Sequence, residues 1–273
     1  MPDVEANEAH WNDREWPVGG DRWSRRWGGP DYHWWGMLYP RIREFLPTGT
    51  LLEIAPGHGR WTRYLVHLCD RLIGVDLATN CVEACRQRFA DHPHASFHKN
   101  DGRSLEVVGD GEVDFALSFD SLVHCEDDVV QSYVSELSRT LAPEGAAFIH
   151  HSNLAAYLDP ETGELPFRKG GWRGESTSAQ SFEQLCRDKG LICIGQELIR
   201  WLEREHWYRD CFSMITRPGS RFERENRVLE NPNYWSQAEA MATVAEFYGA
   251  TGFPNLNGQA TADDTLPLIR RKS

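Results

Sequence analysis

No apolar stretch in these 273 residues approaches the 18 or more needed to cross a bilayer. The acidic, Trp-rich N-terminus also lacks the basic start and apolar core of a secretory signal. Both absences predict a cytoplasmic protein that engages no membrane. There is no Cys-x-x-Cys pair either. The seven cysteines (Cys69, Cys81, Cys85, Cys125, Cys186, Cys193 and Cys211) are scattered through predicted helices and strands, so buried free thiols are expected in place of a disulfide framework. Positive charge is scarce: 29 Lys and Arg stand against 41 Asp and Glu, a formal net charge of −12. That balance lacks the basic footprint of a nucleic-acid binder, and the stretch Arg22 to Arg26 is short and interleaved with Trp23. The expected partner is a small molecule. Repeats and low-complexity tracts are missing as well.

What is present is an ordinary globular composition, 40% hydrophobic and 26% charged, long enough for one large core. Its organisation changes twice. Residues 1–48 are rich in Trp, Gly and Pro and hold six of the eleven tryptophans before residue 36, which marks a covering extension. Residues 49–216 then alternate strand and helix, the signature of a parallel α/β sheet. Residues 217–273 form a helical tail.

Within the central part, Leu51–Ala55 is a short apolar run expected to be a buried strand. Trp61, Tyr64, Leu65 and Leu68 follow at helical spacing. Leu72–Val75 is a second strand ending at Asp76, and Val82, Cys85 and Phe89 mark a helix. Ala95–Lys99 is a third strand leading to Asn100-Asp101-Gly102, and Val113–Phe119 is a fourth. Val130, Tyr133, Leu137 and Leu141 share a helix face that stops near Pro143, and Ala146–His150 is the fifth strand. Residues 154–177 read as a long loop. A helix through Phe182, Leu185 and Cys186 ends at Gly190, before strands over 191–202 and 211–216. In the tail, Met241, Val244, Ala245 and Tyr248 are expected on the inner face of a helix. The sum is a doubly wound seven-stranded Rossmann-like α/β sheet with helices on both faces, a fold that binds ligands outside the carboxyl ends of its strands.

Three features fall where that rule needs them. Gly57-x-Gly59, within Glu53-Ile54-Ala55-Pro56-Gly57-His58-Gly59, joins the first strand to its helix, where glycine permits a tight turn and close backbone approach. Asp76 ends the second strand, where a carboxylate can accept two ribose hydroxyls. Asp101-Gly102 follows the third, within reach of an adenine amino group. A nicotinamide cofactor would call for Gly-x-Gly-x-x-Gly with an acid about 20 residues on. Asp76 suits that reading, but Thr62 occupies the third glycine position beside bulky Trp61. Glu53 favours S-adenosylmethionine (SAM), because a carboxylate at the methionine end helps to hold the ammonium group through neighbouring donors.

These segments resemble the first three motifs of the class I SAM-dependent methyltransferases, carried by residues 52–59, by Gly74-Val75-Asp76-Leu77 and by Asn100-Asp101-Gly102. Trp27-Gly28-Gly29, residues 118–124 (Ser118-Phe119-Asp120-Ser121-Leu122-Val123-His124) and residues 148–153 resemble a narrower bacterial group. Members of that group occur with sugar, polysaccharide and antibiotic biosynthesis and include the lincosamide N-methyltransferases. The likeness covers about residues 23–216. It implies SAM as cofactor and S-adenosylhomocysteine as product. Contacts are expected from Trp27, Glu53, Ala55, Pro56, Gly57, Gly59, Asp76, Leu77, Asp101, Gly102 and Phe119. The implied acceptor is a hydroxyl or amine on a sugar or glycosylated natural product. A NAD(P)-dependent oxidoreductase and a SAM-binding regulator without turnover are the alternatives.

Methyl transfer from a sulfonium is an in-line displacement, so the protein must chiefly align nucleophile and methyl and exclude water. An alcohol acceptor also needs a base. Asp120 and His124, after the fourth strand, are candidates to orient the acceptor and to take its proton. His150 and His151 end the fifth strand and point to opposite sides, so one of them at most should face a ligand. Asp120, His124 and His150 are also a conceivable ligand set, but no spaced metal motif supports it and no metal is expected. Trp23, Trp27 and Tyr32 are candidates to stack on a cofactor or acceptor. Aromatic segments at both ends suggest a homo-oligomer.

Overall fold

The computed structural model describes residues 3–167, 172–200 and 206–248. The chain opens with helix α1 (Val4–Asp13), capped by Asp3, whose carboxylate accepts the Ala6 N–H at 2.7 Å. Tight 3-10 turns over Pro17–Trp27 follow, broken by left-handed backbone at Val18, Gly19 and Gly20. Two single-turn helices, α2 (Pro30–His33) and α3 (Tyr39–Ile42), flank a wider turn over Trp34–Leu38.

The central part runs β1 (Thr48–Ile54), α4 (Thr62–Leu65), β2 (Cys69–Asp76), α5 (Thr79–Arg88), β3 (Ala95–Lys99), β4 (Val113–Ser118), α6 (Asp127–Thr140) and β5 (Leu141–Ser152). Then come α7 (Ala179–Asp188), β6 (Ile192–Ile199), β7 (Asp210–Thr216), β8 (Val228–Asn231) and α8 (Tyr234–Phe247). All strands join one mixed sheet in the order β3-β2-β1-β4-β5-β7-β6-β8, with β7 antiparallel to both neighbours. Strand order reverses beside β1, between β2 and β4, which places the ligand crevice at the carboxyl ends of these strands.

The doubly wound α/β reading stands, but the strand count does not: there are eight strands, not seven. The addition, β8, pairs in parallel with β6 at the sheet edge. Its four residues leave Val228 and Leu229 more than half exposed, so they show no buried alternation for a sequence to display. The helix expected from Trp61 to Leu68 is α-helical only over Thr62–Leu65, because the chain must enter β2 by Cys69. Trp61, Tyr64 and Leu65 are nonetheless buried. Strand β6 ends at Ile199, short of the expected 202, and residues 201–205 lie outside the described residues. In α8 the packed face is Tyr234, Trp235, Ala238 and Ala245, while Val244 and Tyr248 face solvent, contrary to expectation. Pairing of Tyr234 and Trp235 with the N-terminal segment rotates the helix away from the face its aliphatic spacing suggested.

Burial forms two apolar layers. One gathers Trp34, Met37, Leu38, Ile42, Phe115, Phe212 and Tyr234, so the N-terminal segment and α8 share a core with the sheet. The other packs α6 and α7 through Tyr133, Leu137 and Phe182 against Ile54, Val75 and Ala147. Among the described residues no helix is long and apolar enough to cross a membrane. The seven cysteines are free, and six are buried. Phe115 is fully buried and stacks on Phe45 at 5.4 Å. Phe115→Ala should therefore destabilise the fold by about 3–5 kcal/mol in urea titrations, through lost burial and a cavity that cannot collapse.

Candidate functional site

The crevice holds a cavity of about 490 Å³, within the usual range for small-molecule sites. Its floor comes from strand ends and their following loops: Ile54 to Gly57, Asp76, Leu77, Gly102 and Phe119 to Leu122. Its roof comes from the N-terminal segment, with Trp11, Trp16, Trp23 and Trp27, joined by Trp172 and Arg173 from the loop after β5.

The glycine turn runs through left-handed backbone, which glycine adopts without a Cβ penalty. Ala55, Gly57 and Gly59 all have φ between +57° and +82°. A Cβ on Gly59 would lie 2.4 Å from the Phe89 ring, so this glycine serves helix–strand packing and does not line the cavity. Gly57 lines it, under Trp16, which stacks on His58 at 4.5 Å.

Asp76 is buried at the cavity's edge, and each carboxylate oxygen already accepts one backbone N–H: Gly57 at 3.0 Å and Ala78 at 2.9 Å. Burial pushes its carboxyl up to about 6, against the pull of these same N–H groups. The spare lone pairs remain for two ligand hydroxyls.

Glu53 departs from its expected role. Its carboxylate does not line the cavity, and it accepts the Thr62 hydroxyl at 2.5 Å inside the fold. The reason is register: Glu53 alternates with the cavity-facing Ile54, so its side chain enters the other layer. Burial raises its carboxyl to about 7, with the Thr62 hydrogen bond opposing. A raised folded-state value means that Glu53 holds a proton the unfolded chain has already released between pH 4.5 and 7. Its contribution is thus present at low pH and lost as pH rises through that window. Glu53→Gln should flatten the decline in melting temperature from pH 5 to 8, a change on the order of 5 °C.

Asp101 also departs. It is exposed, and its carboxylate accepts its own loop's N–H groups from Arg103 at 2.9 Å and Ser104 at 2.7 Å. This is an Asx turn, which competes with a ligand for the acid. Gly102 lines the cavity in its stead.

At the other end Asp120, in left-handed backbone with φ +61°, accepts Arg60 at 3.0 Å. Burial pushes its carboxyl up, but Arg60 and then His150 outweigh it and hold the group below its usual range. His124 faces the same space, with its Nδ1 on the Trp172 carbonyl and its ring 5.1 Å from Trp11. A carbonyl can only accept, so Nδ1 carries the proton and Nε2 is left as the basic nitrogen. Desolvation pulls its value down to about 4, partly offset by Asp120, so the ring is neutral near pH 7.

Neither His150 nor His151 reaches the cavity. His150 is fully buried one layer behind. Its Nδ1 accepts the Asp120 N–H at 3.1 Å, and its Nε2 lies 3.4 Å from Asp210, which Arg173 grips bidentately at 2.8 Å. Both ring nitrogens thus serve the Asp120 turn and the buried ion pair, which leaves neither for a substrate or for an Asp120–His124–His150 ligand set. His151 points to the opposite face, bonded to Ser213 at 2.8 Å and stacked on Phe182 of α7 at 4.1 Å. Burial pulls it to about 4, so it packs as a neutral core residue.

Trp27 and Phe119 line the cavity as expected, and so do Ala55, Pro56 and Leu77. Trp23 lines it too, and Tyr32 does not. No local pattern singles out His33, which lines the wall face to face with Trp27 at 3.7 Å, its Nδ1 bonded to Ser24 at 3.0 Å. Arg60, Trp172 and Arg173 escaped notice for the same reason: each lies in a turn or loop without periodicity.

Residues 51–145 match a family model described as "Methyltransferase domain". A curated relative, "Ribosomal RNA small subunit methyltransferase A" of Geobacter metallireducens, is 38% identical over 76 residues. That match covers 26% of this chain and 28% of the relative's length. The fold resembles the crystal structure of an S-adenosylmethionine-dependent methyltransferase from Clostridium acetobutylicum, at 14% identity and a TM-score of 0.54 over 80% of this chain and all of that one. It also resembles a SAM-dependent methyltransferase from Methanosarcina mazei, at 17% identity and a TM-score of 0.50 over 66% and 97% of the two chains. The anchored acid of Asp76, the turn at Ala55 to Gly59 and the partly apolar cavity above them fit such a cofactor. Residues 51–145 accordingly match a methyltransferase domain, whose implied cofactor is S-adenosylmethionine.

Proposed function

We propose that the chain transfers a methyl group to a hydroxyl or amine of a small molecule, of the sugar or glycosylated natural-product kind. One observation carries this reading: a single roofed cavity contains both the anchored Asp76 and, across the aromatic floor of Phe119, the pair Asp120 and His124. When bound, S-adenosylmethionine supplies the methyl group as a sulfonium electrophile. Asp76 takes the ribose hydroxyls, and Gly57, Leu77 and Gly102 shape the neighbouring wall. Trp27 and Phe119 offer ring faces that favour a cationic centre. Asp120, held by Arg60 and by its N–H on His150, orients the acceptor. His124 accepts a proton at Nε2, and the Trp172 carbonyl keeps its tautomer fixed.

A roofed cavity of about 490 Å³ and a net charge of −12 favour a small acceptor over RNA. Exposed Phe247 and Tyr248 on α8 support self-association, which light scattering coupled to size exclusion tests.

Thermal-shift titration tests the cofactor reading against its alternatives. S-adenosylhomocysteine should raise the melting temperature and NAD should not; stabilisation by NAD alone would overturn the proposal. His124→Ala should lower turnover about 10²–10⁴-fold with cofactor affinity kept. Unchanged turnover removes His124 as the base. Tight cofactor binding without methylation of any supplied sugar or amine would favour the regulator.

A further inference from the structure

Beside the cavity lies a second pocket of about 510 Å³, and the two share Arg14 and Trp23 in their walls. The remaining wall of the second pocket includes Arg22, Arg25 and Arg26, with Glu15 as its one acidic side chain. Four arginines in one pocket are unexpected in a chain with a net charge of −12. Four buried or half-buried arginines elsewhere are compensated: Arg41 has Glu197, Arg60 has Asp120, Arg63 has Asp21 and Arg173 has Asp210. Among the described residues, none of the four pocket arginines pairs with a carboxylate.

Two of them are held by aromatic rings instead. The Arg26 guanidinium lies 3.9 Å from the Trp235 ring centre, and Arg14 sits 5.4 Å from both Trp11 and Trp23. Stacking of this kind fixes the plane of a guanidinium and leaves in-plane N–H donors available, although Arg14 places one of its own 3.2 Å from the His10 Nε2. The ring positions are themselves secured, since Trp235 is buried in α8 and Trp23 packs edge-on against Trp16 at 4.7 Å. Forked donors held in fixed planes are suited to the tetrahedral oxygens of phosphate, which they meet bidentately.

Resting on the methyltransferase reading, we propose that this arginine pocket binds the phosphate or diphosphate group of the acceptor, so that the molecule methylated is a phosphorylated small molecule. The shared Arg14 and Trp23 join the two spaces, so one ligand can extend from Asp120 and His124 to the arginines. A polynucleotide is disfavoured by the chain's net charge of −12.

Isothermal titration with inorganic pyrophosphate and, separately, with S-adenosylhomocysteine tests this on the full chain. Pyrophosphate should bind, more weakly as salt is raised, and Arg22→Ala/Arg25→Ala should reduce its affinity at least about tenfold. Both substituted side chains are exposed, so the variant should fold, and its S-adenosylhomocysteine affinity should equal that of wild type. Equal pyrophosphate affinity in variant and wild type, or none in either, overturns the arginine-pocket proposal while the cofactor titration stands apart. Loss of S-adenosylhomocysteine binding by the wild type would instead strike the methyltransferase reading. A 12-nucleotide RNA that outcompetes pyrophosphate and loses affinity in the same variant would assign the pocket to nucleic acid and overturn the small-molecule acceptor.

Discussion

Asp76→Ala should weaken S-adenosylhomocysteine binding at least about 100-fold by calorimetry, the effect expected when two hydrogen bonds to a charged acceptor are lost. The side chain has two tasks, since it also holds the Gly57 and Ala78 N–H groups. Asp76→Asn separates them. The amide keeps one acceptor oxygen and nearly the same shape, so its affinity should fall between wild type and Asp76→Ala, with an unchanged circular dichroism spectrum. Wild-type affinity in both variants would remove Asp76 from the ribose site. The pH dependence has a definite sign. A protonated acid cannot accept from both hydroxyls, and burial places this carboxyl at about 6. Affinity should thus be full above that value and decline as pH falls through it, and Asp76→Asn should abolish the decline.

Arg173→Ala should cost about 3–5 kcal/mol of stability in urea titrations, because it leaves the Asp210 carboxylate buried without its cation. Asp210 is fully buried, and its acidity is set by Arg173: burial pushes it up, but the guanidinium holds it far below the usual carboxylate range. A depressed folded-state value stabilises the fold above the unfolded value near 3.8 and loses that contribution as pH falls below it. The double variant Arg173→Met/Asp210→Asn removes both charges and should regain most of the stability. Turnover should not recover with it, since His150 would lose the acid that orients it behind Asp120. A double variant that restores both would show that the buried pair serves the fold alone.

How much of this was legible in the residues depends on where each signal resides. Strands β1, β2 and β4 announce themselves because both faces are buried, so their apolar runs are continuous. The turn at Ala55 to Gly59 and the acid at Asp76 are equally plain, because tight backbone and a strand-end carboxylate constrain residue type locally. Asp101 shows the limit: a strand-end acid looks the same whether it faces a ligand or its own loop, and the Asx turn with Arg103 and Ser104 is a matter of side-chain rotation. His150 and His151 show it again. Alternation told that they diverge, but it could not tell that Asp210, 60 positions after His150, would claim one and Ser213 the other.

The sequence by itself determined the α/β sheet, the glycine turn at Ala55 to Gly59 and the strand-end carboxylate of Asp76, because each rests on spacing and backbone demands within a few residues. Only the tertiary structure decided which side chains meet across the cavity. Trp172 fixes the His124 tautomer, Arg60 neutralises Asp120, His33 stacks on Trp27, and Arg14 links two pockets. Those partners lie on separate loops and turns, and contact between segments remote in the chain is set by packing, which no local pattern records.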